Sequence, residues 1–346
     1  MSKSAPDLHA AAIGRPHITA LGAQAPWLAL ALILGVGVFL FRGGASDYGL
    51  TLVALLCLNI TLALSLTLTN GLTGLFSLGH PAFMTIGAYV SAVLTYPVAR
   101  KSFMLPSLPE PFVSTQLPFL AGLAVAATVA GIAAFLIGVV VLRLKGHYLA
   151  VATLGFIVIV QGLAINWQGL TRGGSGLNGI PRFTNLWWCA GLMFLTFLLV
   201  WRIKFSSLGR AMLAVRENQL AAECAGIRSA RVKLIAFVLG AVIAAVAGAM
   251  MAHLITVVTP KSYGIALAFN LVVMVVIGGA GSVVGAVVAA IGITVLSEGM
   301  RPVEESLNFY GLSQVVVALA LILTLLYRPA GLFGSGEPAW VKRLLR

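Results

Sequence analysis

The chain has 346 residues, of which 60% are hydrophobic and 9% charged, with a mean hydropathy of +1.03, whereas a soluble domain carries roughly 25% charged residues and about 45 to 50% apolar ones. So little polar surface cannot cover a water-soluble core, which excludes a soluble enzyme, a secreted scaffold and a free DNA-binding protein and makes the chain an integral membrane protein. The 22 lysines and arginines against 9 acids give a formal charge of +13, which has to be placed on a topology before any partner is read from it.

Crossing a bilayer takes about 20 apolar residues, with roughly 17 to 25 tolerated. Residues 1–26 mix Pro, Gly and His and form a tail. The apolar stretch 27–41 has no small-residue cleavage site before the polar Arg42 to Asp47, so it is predicted as a first transmembrane helix and not a signal peptide. Further spans are predicted over 49–69, 82–98, 118–142, 148–167, 186–201, 234–256 and 312–327, with a long charge-free segment over 262–297. As one helix that segment would be about 54 Å long, and Gly278-Gly279-Ala280-Gly281 interrupts it. It therefore forms two short crossings or a re-entrant pair. The expected fold class is all-α, a polytopic membrane protein of about eight to ten transmembrane helices. Its transmembrane domain covers 27–327, with a cytoplasmic loop over 202–233 and a cytoplasmic tail over 328–346.

With the N-terminus inside, 15 of the 22 basic residues fall inside, among them the run Arg202, Lys204, Arg210, Arg216, Arg228, Arg231 and Lys233. Arg42, Arg100, Lys101, Arg172, Arg182, Lys261 and Arg301 fall outside. The basic charge is mostly positive-inside bias, and no nucleic acid is needed to explain it. Cys57 and Cys189 lie in apolar segments and Cys224 in a polar loop, with neither a disulfide framework nor metal-ligand spacing.

Small residues recur every fourth position at Gly122, Ala126, Ala130, Ala134 and Gly138, and again at Gly240, Ala244, Gly248 and Ala252. Such faces let helix backbones approach closely in lipid, and internal packing is the expected use. Two stretches break the apolar pattern with glycine, from Gly71 to Pro81 and from Gly278 to Gly285. Irregular backbone at membrane depth survives only where protein buries it or a wet cavity solvates it, and paired breaks in the two halves of a chain point to a solute path.

No Asp or Glu falls in the middle of a predicted span, which argues against proton coupling by an intramembrane acid. The interior polar groups are neutral: Asn59, Ser65, Gln161, Asn166, His253 and Asn270. As a set they suit a neutral or zwitterionic solute, although such groups more often serve as helix-to-helix hydrogen bonds than as ligands. The candidates for the solute path are Asn59, Ser77, Gly79, His80, Gln161 and Asn270. No metal ligands and no catalytic residues are indicated, and a Gly-rich phosphate loop ending in Gly-Lys-Ser/Thr is absent.

The inside loop reads as a short amphipathic helix over 206–227, with Ser207 as N-cap, Leu208, Met212 and Val215 on one face and Gly226 at its C-terminal cap. Its mixed-sign polar face suits docking on a protein as well as on anionic lipid.

At this point the chain resembles the membrane permease subunit of branched-chain amino acid ABC importers, the LivM type, over roughly residues 50–334. The matching stretches are GLTGLFSLGHPAFMTIGAYVSAVL (71–94), LRLKGHYLAVATLGF (142–156), LTRGGSGLNGIP (170–181), SSLGRAMLAVRENQLAAECAGI (206–227), KLIAFVLGAVIAAVAGAMMA (233–252), NLVVMVVIGGAGSVVGAVVAA (270–290) and YRPAGLFG (327–334). The resemblance implies a multi-span permease of the bacterial cytoplasmic membrane that imports Leu, Ile and Val. It implies a second homologous permease, two cytoplasmic ATPases that hold ATP with magnesium, and a periplasmic or lipid-anchored solute-binding protein. The 206–227 helix would be the coupling element. The family's Glu-Ala-Ala-x-x-x-Gly signature is matched at Ala221, Ala222 and Gly226, but Leu220 stands where its Glu would be. Arg210, Arg216, Glu217 and Glu223 are then the candidates for the ionic part of the ATPase contact. Permeases for urea or short amides belong to the same group, and a stand-alone secondary transporter or channel is the alternative of another class.

Overall fold

The structure, a computed structural model, describes residues 46–337 apart from 106, 107, 109, 145, 310 and 335. The expected span over 27–41, the tail before it, Lys145 and the basic residues beyond 337 lie outside the described residues. The chain is all-α. Helix α1 is Asp47–Leu66, continued by a π-helical turn over Thr67–Leu72. Then follow α2 (His80–Thr95), the short α3 (Val98–Met104) and α4 (Glu110–Val113), α5 (Phe119–Val141), α6 (His147–Asn166) and the single turn α7 (Gln168–Thr171). The second half holds α8 (Leu186–Phe205), α9 (Ser207–Glu217), α10 (Gln219–Cys224), α11 (Ser229–Ile255), α12 (Ile265–Gly278), α13 (Val283–Leu307) and α14 (Leu312–Tyr327). Six helices among the described residues are long and apolar enough to cross a membrane, and α12 and α14 are shorter apolar helices.

Helix α11 lies at the centre, flanked by α2, α5 and α1. The regular small-residue faces lie in these contacts, as expected. Gly122, Ala126, Ala130, Ala134 and Gly138 are the buried stripe of α5, while Leu120, Ile132, Phe135, Leu136 and Val140 on its other side are exposed apolar surface suited to lipid. Between α2 and α11 the backbones touch: a Cβ added at Gly87 would stand 2.1 Å from the Ala245 carbonyl oxygen, and one at Gly248 2.4 Å from that of Met84. Sixteen residues of α2 span only about 24 Å, yet 14 of the 16 are buried. This short helix is shielded by protein, which is how broken helices persist at membrane depth.

One end of the bundle carries a two-stranded ribbon, β1 (Leu177–Asn178) antiparallel to β2 (Val257–Val258). His253, an interior polar group of the sequence, ties helices to loop here. Its Nε2 lies 3.0 Å from Ser91 Oγ and its Nδ1 2.9 Å from the Pro181 carbonyl oxygen. Nearby Lys101 is buried, its ammonium donating to the carbonyls of Phe112 at 2.9 Å and Thr115 at 2.5 Å, and that burial lowers its pKa. The opposite end carries α9 and α10. Following the helices in turn places Arg143, Arg202, Lys204, Arg210, Arg216, Arg228, Arg231, Lys233 and Arg328 at the α9 end, and Arg100, Lys101, Arg172, Arg182, Lys261 and Arg301 at the ribbon end. For the described residues this is the same grouping that the apolar spans, taken in turn from an inside N-terminus, gave.

Two expectations are corrected. The amphipathic stretch 206–227 is not one helix capped by Ser207. Ser206 caps α9, its Oγ accepting from Gly209 N at 3.3 Å, and Asn218 stops α9 and caps α10 by accepting from Ala221 N at 3.1 Å. Either serine suits an N-cap by residue type, and an asparagine that caps the next helix is indistinguishable in sequence from one on a polar face. The span expected to end at 297 continues as helix to Leu307, through Pro302 and the Glu298–Arg301 pair at 3.2 Å. Charge marks where the hydrocarbon region ends, not where the helix does.

Candidate functional site

The two glycine breaks meet. Helix α1 loosens into its π turn, and residues 74–79 run as irregular chain before α2 begins at His80. Asn70 pins this loop from both sides, donating to the Ser77 carbonyl at 3.0 Å and accepting from Ser77 N at 3.1 Å. Thr153 of α6 accepts from Leu78 N at 3.0 Å. The second break separates α12 from α13, with Gly279 and Gly281 at φ of 103° and 101°, values open to glycine at little cost. A Cβ on Gly71 would stand 3.0 Å from Gly281 N, so the two irregular segments are in backbone contact at the α9 end.

Basic side chains bind backbone carbonyls there. Arg216, in the last turn of α9, donates from Nη1 to the Gly71 carbonyl at 2.7 Å and to the Ala280 carbonyl at 2.8 Å, one from each break. Lys204, in the last turn of α8, donates to the Gly281 carbonyl at 2.6 Å and to Glu337 Oε1 at 2.5 Å. Carbonyl groups released by broken helices need donors, and a charged donor makes roughly twice as strong a bond as a neutral one. The α9–α10 pair is itself seated on the first break: Met212, Val215 and Ala222 share a buried cluster with Leu68 and Leu72 of the π turn and Val232 and Ala236 of α11. A push on α9 therefore reaches both breaks through packed atoms and one guanidinium.

The expected coupling residues divide by direction. Arg216 turns inward onto the junction, and Ala222 is buried in the cluster. Arg210, Glu217, Ala221 and Gly226 are exposed. Glu223 is also exposed but engaged, accepting from Gln219 Nε2 at 2.9 Å and from Ser229 Oγ. Gly226 has the expected positive φ of 84°, with no atom within 4 Å of where a Cβ would be. Leu220, singled out in the sequence only as a departure from a motif, is 75% exposed at the start of α10.

The solute-path candidates are spread out. Ser77, Gly79 and His80 share the first break and are buried, with both ring nitrogens of His80 making no well-formed hydrogen bond among the described residues. Asn59 donates to Thr294 Oγ1 of α13 at 3.1 Å. Gln161 lies against Gly264, and Asn270 is half-buried in α12. Lys204, Glu337 and Asn70 were missed. The first two carry charges that hydropathy assigns to solvent, and nothing local distinguishes Asn70 from a loop asparagine.

Among the described residues no group of three or more His, Cys, Asp or Glu is placed to hold a metal ion. Comparison with known proteins agrees with the helical architecture. The chain is 30% identical over 350 residues to the high-affinity branched-chain amino acid transport system permease protein LivM of Escherichia coli K12, covering 91% of this chain and 76% of that protein. It is 25% identical over 295 residues to the corresponding LivH protein of Salmonella typhimurium, covering 80% of this chain and 91% of that one. The autoinducer 2 import system permease protein LsrC of Escherichia coli O9:H4 is 29% identical over 175 residues, 46% of this chain and 49% of that protein. No solved structure matches. The family model for the branched-chain amino acid transport system permease component matches residues 47–326, and the chain belongs to that family.

Proposed function

We propose that the chain is the membrane-spanning permease subunit of an ATP-driven importer that moves Leu, Ile and Val from a solute-binding protein into the cytoplasm. The observation that carries this reading is the junction: an exposed helix pair at one end of the bundle holds both helix breaks through Arg216. A chain with no phosphate loop receives the work of ATP hydrolysis from partner subunits, and α9–α10 is the element shaped to receive it. In this reading the α9 end is cytoplasmic, a second homologous permease completes the path, and two ATPases with ATP and magnesium dock on α10. The junction is the inner gate, with Ser77, Gly79 and His80 beside it and Asn59, Gln161 and Asn270 as solute-path candidates further along the helices. A lining without ionised carboxylates suits a zwitterion as well as a neutral amide.

The deciding experiment reconstitutes the chain alone and with candidate ATPases, a second permease and a binding protein from the same organism. ATP-dependent leucine uptake is expected only from the complete assembly. Accumulation by the chain alone, driven by an ion gradient, would overturn the proposal, and uptake of urea but not leucine would move it to the amide permeases.

Docking has a sharper test. Leu220→Asp puts a charge on the exposed tip without touching the buried cluster and should weaken recovery of the ATPases with the permease by about tenfold, as loss of a central apolar anchor does. Among the described residues, chain neighbours aside, no atom lies within 4 Å of a Cβ at Gly226, so apart from a strain of roughly 1 kcal/mol a loss of association in Gly226→Val is expected to report a partner surface. If both variants pull down the ATPases like the parent, docking is elsewhere.

A further inference from the structure

The last described segment of the chain completes both helix ends that form the second break. Helix α12 stops at Gly278 with carbonyls that have no partner in their own helix, and Leu332 and Phe333 supply donors: Leu332 N to the Ile277 carbonyl at 2.8 Å and Phe333 N to that of Gly278 at 3.4 Å. Helix α13 starts with free N–H groups, and Glu337 supplies acceptors. Its Oε1 accepts from Val283 N at 2.8 Å, and its Oε2 accepts from Val284 N at 3.3 Å and from Ser282 Oγ at 3.1 Å. The segment lies so close that a Cβ on Gly279 would stand 2.5 Å from the Gly334 carbonyl oxygen.

Glu337 does more than cap. The same Oε1 takes Lys204 Nζ at 2.5 Å, and the pair is buried, with side chains 7% and 2% exposed. Lys204 in turn holds the Gly281 carbonyl, and Gly281 is the residue that touches Gly71. One carboxylate thus fixes an ammonium, the ammonium fixes the second break, and the second break closes on the first. A buried charge that loses a partner is strongly unfavourable, so removing the Glu337 carboxylate, which meets Lys204 directly, loosens the hold of Lys204 on Gly281.

We propose that Glu337 is a positioning residue for the gate: acting through Lys204, it holds Gly281 against Gly71 and sets how firmly the junction closes. This deepens the importer reading and rests on it for the transport consequence, but the closure itself is testable on the chain alone. If the segment were only a structural cap, Glu337 and Lys204 would act independently on gate closure. If they act as one clamp, their effects are shared.

The test has two arms. In the first, the purified chain in nanodiscs carries spin labels at Phe76, exposed in the first break, and Leu332, exposed in the last segment, on a background in which the exposed Cys224 is Ser. A narrow distance distribution is expected for the parent. A broadened one is expected for Glu337→Gln, which keeps an acceptor for α13 but removes the charge, and the same broadening for Lys204→Met and for the double variant. A distribution that Glu337→Gln leaves narrow, or that broadens additively in the double variant, overturns the proposal. In the second arm the complete transporter is assembled with each variant at equal yield. Stimulation of ATP hydrolysis by loaded binding protein should fall about tenfold, within the usual range of coupling between sites, in each single variant and no further in the double. Broadening without loss of stimulation would keep the clamp and refute its place in the transport cycle, so the two readings fail separately.

Discussion

Replacing Arg216 by alanine is expected to leave the permease inserted and assembled but to cut substrate-stimulated ATP hydrolysis and uptake severely. Leu220, proposed above to meet the ATPases, is exposed, whereas the Arg216 side chain is half-buried. Its single Nη1 holds carbonyls from both breaks at 2.7 and 2.8 Å, so its loss frees the two segments from α9 while the apolar seat of α9 on Leu68 and Leu72 remains. Coupling between sites is commonly worth about 1 to 3 kcal/mol, or roughly 5- to 150-fold, and uptake should drop by that order with little change in ATPase recovery. Arg216→Lys should recover part of it, because an ammonium can reach a carbonyl but lacks the planar donor geometry of guanidinium. Measured as leucine uptake at matched complex yield, an alanine variant equal to the parent would remove the junction from the mechanism. Equal losses for alanine and lysine would show that geometry, not charge, is what α9 supplies.

The largest effect on folding is expected at Gly87. A side chain there drives into the Ala245 carbonyl 2.1 Å away, and because the obstacle is helix backbone, no rotamer change relieves it. Gly87→Val must separate α2 from α11, exceeding the about 3 kcal/mol at the upper end of ordinary overpacking. The detergent-solubilised protein should lose its monodisperse size-exclusion peak and its thermal midpoint. Gly155→Val is the matched control: Gly155 is exposed on α6 with no atom within 4 Å of a Cβ, and surface changes of this kind stay within about 0.5 kcal/mol. A Gly87 variant as stable as the Gly155 variant would mean that these helices do not touch.

Much of this architecture was legible because lipid imposes simple rules. Apolar length gave the long helices, four-residue spacing gave the buried faces of α5 and α11, and the distribution of lysine and arginine gave the two ends of the bundle. The glycine breaks were also visible as interruptions. What sequence could not supply was that the breaks touch one another, since Gly71 and Gly281 are far apart along the chain and neither has a side chain to advertise the contact. Arg216 was picked out for its charge and assigned an outward role. Only the direction of its side chain shows that it grips backbone carbonyls instead. Lys204 and Glu337 were counted as loop and tail charges, because hydropathy treats every ion as solvated, and a buried pair joining residues 133 positions apart leaves no local pattern.

The dependence of the second break on Leu332, Phe333 and Glu337 has a consequence for how the protein is made. Chains emerge from the ribosome N-terminus first, and folding begins before synthesis ends. The end of α12 and the start of α13 take their last hydrogen-bond partners from the final described segment, so a nascent chain that has already inserted every transmembrane helix still has an incomplete junction. A product truncated before Leu332 lacks the donors of Leu332 and Phe333 and the acceptors of Glu337, so it is expected to leave both helix ends of the second break unpartnered.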